Sequence, residues 1–68
     1  MALSEQRHKE IDAEFQQIYE HLLALAAELD PGNIPRNRYV SVGQETKLAA
    51  EQIQQLRHSL VIARLLER

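Results

Sequence analysis

Six apolar side chains in the first half of the chain follow one another at steps of 4-3-4-3-4: Ile11, Phe15, Ile18, Leu22, Leu25 and Leu29. This is an unbroken heptad stripe over nearly three repeats, the signature of a helix that packs on another helix. So narrow a stripe is not stable facing water. The chain has room for only one more helix of similar length. The expected fold is therefore an antiparallel helical hairpin, too thin to close a core of its own.

Size sharpens that expectation. A chain of 68 residues is one domain at most, and single cores this small usually need a disulfide, a metal or a second copy. With no cysteine in the sequence, disulfides and thiolate zinc sites are excluded, and a reducing cytoplasm is the expected setting. Charged residues follow Met1-Ala2-Leu3-Ser4 at once. We read no signal peptide there, and no run reaches the length of a membrane span. Self-association is left as the expected support.

The formal net charge of -2 conceals an asymmetry. Residues 1–30 carry seven acids against Arg7 and Lys9; residues 31–68 carry six bases against Glu45, Glu51 and Glu67. Opposite halves favour folding the second segment back onto the first, as a bias on pairing rather than a source of much stability. The acidic first helix also argues against a nucleic-acid polymer as partner, which calls for a basic face.

Ser4 is a good N-cap, with Glu5 in the first turn, and the first helix is expected over about 4–29. Asp30-Pro31-Gly32-Asn33 stops it, and Pro35 keeps the connection, about 30–38, from being helical. The second helix is expected over about 41–67, with Ser41 and Gln44 as a capping box and Asn37 as a competing cap. Thr46, Ala49, Ile53, Leu56, Leu60 and Ala63 repeat the 4-3 spacing. The whole chain, 1–68, reads as one all-α domain. Its two helices also carry apolar residues outside the main stripes. Tyr19, Leu23, Ile62, Leu65 and Leu66 are the expected interface with a second copy or a protein partner. The simplest assembly is a dimeric four-helix bundle.

Little in the sequence suggests chemistry. Glu5-x-x-His8 has the one-turn spacing of di-iron bundles, but such a site needs a second copy of the pattern and two further inward carboxylates. The nearest other pattern, Gln55-x-x-His58, has an amide where a carboxylate is required. His21 and His58 read as flanking residues. Ser4, Ser41, Thr46 and Ser59 have no paired base at a recognisable spacing. No enzyme, metal or cofactor is expected.

The densest unusual segment runs from Pro35 to Gly43. Arg36 and Arg38 precede a helix N-terminus, where free N–H groups and the dipole favour anions. A forked phosphate contact from the arginines and base stacking by Tyr39 are conceivable there. Solvated loop arginines, with Tyr39 covering the hairpin end, explain the same residues.

Ile34-Pro35, then Arg38-Tyr39-Val40-Ser41-Val42-Gly43, then Thr46-Lys47-Leu48 opening a long helix, together resemble a known family. These are the small phage-encoded sponges (anti-CBASS-type helical proteins) that sequester the cyclic nucleotides of bacterial antiviral signalling. The resemblance covers residues 34–48 only. It implies an all-helical oligomer without catalysis and points to Arg38, Tyr39, Ser41 and Thr46 as ligand contacts. Two functional expectations result. The first is a non-enzymatic cytoplasmic regulator or inhibitor that binds another protein as a homo-oligomer. The alternative is a sponge for a phosphorylated small molecule, held by Arg36, Arg38, Tyr39, Ser41 and Thr46.

Overall fold

The computed structural model describes residues 3–32 and 37–67. It is all-α, with helix α1 over Glu5–Leu29 and helix α2 over Val40–Leu66. The two pack against each other as an antiparallel hairpin 52 Å long and 17 by 15 Å across. No helix among the described residues is long and apolar enough to cross a membrane.

Local chemistry explains the ends of the helices. The Ser4 hydroxyl accepts the Arg7 amide at 3.1 Å, as its place before α1 predicts. At the other end the Asp30 amide donates to the Ala26 carbonyl. Gly32 then turns the chain at φ +87°, a conformation that side chains resist.

The start of α2 departs from expectation. Ser41 is already inside the helix, and the N-cap position falls on Tyr39, which supplies no side-chain cap. The Ser41–Gln44 box therefore does not form, because a capping residue must sit outside the helical backbone. Asn37 organises this corner instead. Its Oδ1 accepts the Tyr39 amide at 3.0 Å, and its Nδ2 donates to the Leu29 carbonyl at 2.6 Å. One side chain thus closes the last turn of α1 and sets the first of α2.

The largest departure is the rotation of both helices. The heptad stripes were expected to meet each other. The residues that touch most closely are instead small or polar: His8, Asp12 and Ala26 on α1 and Asp30 just after it, with Gly43, Ala50, Arg57 and Arg64 on α2, while Ile11, Phe15, Leu22, Ile53 and Leu60 of the stripes are half-buried beside them. Ala26 and Ala50 are the buried hydrophobic residues, and no large side chain among the described residues is fully buried. Six of these eight contact positions lie one residue after a stripe position: 12 after 11, 26 after 25, 30 after 29, 50 after 49, 57 after 56 and 64 after 63. One residue is about 100° of helix, so the stripes stand to the side of the contact. Residues outside the main stripe, notably Ala26, do the packing.

Close approach is the physical reason. Gly43 and Ala50 let the helices draw together where a leucine would hold them apart. A Cβ added at Gly43 lies 2.8 Å from the Asp30 Cβ and 3.3 Å from the Ala26 carbonyl oxygen. Gly43→Ala gains about 1 kcal/mol in helix propensity but meets roughly 1–3 kcal/mol of overpacking. We expect a net loss of about 1 kcal/mol in chemical denaturation; a stabilised variant shows that the approach is not tight.

Candidate functional site

The antiparallel arrangement gives the rotation its meaning. On an antiparallel pair, a step of one residue back from the contact line turns both helices toward the same side of the hairpin. The two stripes therefore form one surface. Ile11, Ile18, Leu22, Leu25 and Leu29 supply the α1 half. Val42, Ala49, Ile53, Leu56, Leu60 and Ala63 supply the α2 half. Ile18 is 45 % exposed, Leu25 36 %, Leu56 41 % and Val42 47 %. The opposite side carries Lys9, Gln16 and Glu20 with Gln44, Lys47, Glu51, Gln55 and His58. The hairpin is amphipathic as a unit, with one apolar and one polar broad face.

A polar clamp holds the helices in this rotation. The Arg57 guanidinium makes a two-pronged contact with Asp12, Nε to Oδ1 at 2.9 Å and Nη2 to Oδ2 at 3.0 Å. Arg57 Nη1 also donates to Gln16 on α1 and to Gln54 on its own helix. Further out, Arg64 Nη2 pairs with Glu5 Oε1 at 3.0 Å. Both cross-helix pairs join an acid of the first half to a base of the second, the bias that the charge asymmetry implies. The hydrogen bond from Arg57 holds the Asp12 carboxyl below its ordinary value of 3.8; partial burial opposes this and the guanidinium charge adds to it.

At the open end of the hairpin the helices leave a groove of about 470 Å³ between the first turns of α1 and the last of α2. Leu60, Val61 and Leu65 line it with Lys9, Asp12, Arg57 and Arg64. His8 forms part of its wall. This residue is 6 % exposed, and its Nε2 is buried with no hydrogen-bond partner among the described residues.

The residues singled out in the sequence fall in different places. Tyr19 and Leu23 are half-buried, and Leu23 borders a second groove with Ala26 and Gly43. Ile62, Leu65 and Leu66 are exposed at the open end. Arg36 lies outside the described residues. Arg38, Tyr39 and Ser41 are exposed beside the N-terminus of α2, while the Thr46 hydroxyl donates to the Val42 carbonyl at 2.7 Å. None of these four borders the second groove. Glu5 of the Glu5/His8 pair engages Arg64, and no three His, Asp or Glu side chains among the described residues gather to hold a metal ion. The joining of His8 with Arg57 and Arg64 at one groove was not anticipated by sequence reasoning, although His8 was noted beside Glu5. Reaching it requires the rotation of the helices.

Compared with known protein families, with proteins of known function and with solved structures, the chain matches none.

The clamp makes stability depend on pH in a defined direction. Because the folded Asp12 value is depressed, its contribution is complete above the ordinary value and is lost as pH falls through the folded one. Asp12→Asn is expected to lower the thermal midpoint at neutral pH. It should also shrink the further loss as pH falls below the ordinary carboxylate range. An acid-unfolding profile identical to that of the parent overturns this role.

Proposed function

We propose that this protein is a non-enzymatic regulator or inhibitor that acts by binding another protein as a homodimer, two hairpins joining apolar faces into a four-helix bundle. The observation that carries the reading is the shared apolar surface made by two stripes that turn the same way. Exposed patches of this kind mark association sites. A two-fold dimer matches such a surface with itself.

The dimensions suit a dimer. A paired length of about 38 Å, from 25 residues at 1.5 Å each, and a width of 17 Å give each copy a face of roughly 650 Å². Two copies cover about 1,300 Å², within the range of stable protein interfaces. The polar faces stay outward. The absence of cysteine suits a reducing cytoplasm, the setting we infer.

A second reading, capture of a phosphate-bearing ligand, draws on the N-terminus of α2. Its N-cap residue, Tyr39, makes no side-chain cap, and Arg38 and Ser41 stand exposed beside it. In that reading Arg38→Glu abolishes binding of a cyclic dinucleotide and leaves thermal stability intact.

Light scattering tests the dimer. The parent should run at twice the 7.8 kDa chain mass. Leu25→Glu and Leu56→Glu should each raise the dissociation constant by at least about 100-fold, since a side chain of this size is worth about 1.5–3 kcal/mol when buried and each change occurs twice in a two-fold dimer. Leu48→Glu, exposed on the outer side of α2 away from the apolar face, should leave the mass unchanged. A monomeric parent at millimolar concentration, or equal sensitivity of Leu48, defeats the proposal.

A further inference from the structure

We infer that the groove at the open end is a docking site for an acidic amphipathic helix of another protein. The inference deepens the protein-binding reading above and rests on it. Pairing two apolar faces covers Leu60 at one edge of this groove and leaves the rest open, because Lys9, Val61 and Leu65 lie on or toward the other side of the hairpin. The polar side of α2 runs through Lys47, Glu51, Gln55 and His58 and then turns apolar at Ile62 and Leu65. Both are exposed, as is Val61. Self-association does not account for that change.

The charge of the groove selects the occupant. Lys9, Arg57 and Arg64 line it against Asp12 alone, a local excess of cations in a chain of net charge -2. Asp12 is taken up by the two-pronged contact with Arg57. Arg64 is paired with Glu5, so Lys9, with no ion pair among the described residues, carries the excess. The α1 N-terminus and the α2 C-terminus both lie at this end, so their dipoles oppose each other and the side chains decide the sign. The apolar wall takes one or two large side chains from the incoming helix, and its flanking carboxylates meet Lys9 and Arg64. His8 is buried in the wall, and its Nε2 has no hydrogen-bond partner among the described residues.

The test uses the full chain and two synthetic labelled helices with identical apolar faces, one flanked by glutamates and one by lysines. Fluorescence anisotropy should show the acidic helix binding about ten-fold or more tighter than the basic one. Lys9→Glu should remove or reverse that preference, and Leu65→Asp should abolish binding. Light scattering on the same samples reports the dimer. Equal binding of both helices, or none, with the dimer intact overturns the groove and leaves the assembly standing. A monomer that still prefers the acidic helix supports the groove and removes the assembly. Dodecanoate displacing the acidic helix, with no charge preference between the peptides, assigns the groove to a small amphiphile and also overturns the proposal.

Discussion

The approach of the helices at Gly43 and Ala50, locked by Arg57 on Asp12, governs everything else in this molecule. A helix hairpin has two rotational freedoms, one per helix, and each must be fixed before any surface is defined. Small residues fix them by letting backbone meet backbone along one line. The guanidinium fixes them by requiring a carboxylate opposite at a set distance. Once both helices are turned this way, the large aliphatic side chains of the stripes are at most half-buried between them and lean toward one side.

The division of labour is unusual for so short a chain. Large apolar residues most often make the internal contact and polar ones the rim. Here the internal contact is a glycine, two alanines and a salt-bridged pair, and the aliphatic residues are held in reserve on an outer face. Partly exposed ion pairs contribute modestly to stability, so the clamp specifies geometry more than it supplies cohesion. A surface organised in this way is what the proposed pairing of two copies would use.

Much of the architecture was legible in the residues, and the limits of that legibility are physical. Ser4 as a cap, Pro31 and Gly32 as a stop, and the two long periodic runs led directly to two helices in a hairpin. The opposed charges of the two halves anticipated Asp12 with Arg57 and Glu5 with Arg64 in sign, though not in identity. The cap of α2 was misplaced because Ser41 satisfies the local motif. Asn37 prevails through a bond to Leu29, eight residues back, which no local pattern displays. The rotation was not legible at all. Periodicity shows which side of a helix is apolar, but not which neighbour that side faces. The deciding residues, Gly43 and Ala50, are small and leave almost no trace in a hydropathy pattern. Hence Ala26, read as lying outside the main stripe, is buried, and Leu25 beside it is open.

One consequence follows from the thin seam between α1 and α2. Two alanines and a glycine leave an isolated copy little with which to resist the entropy of its own chain. In the pairing proposed above, dilution acts as a denaturant, and the amount of the chain present sets how much of it is folded.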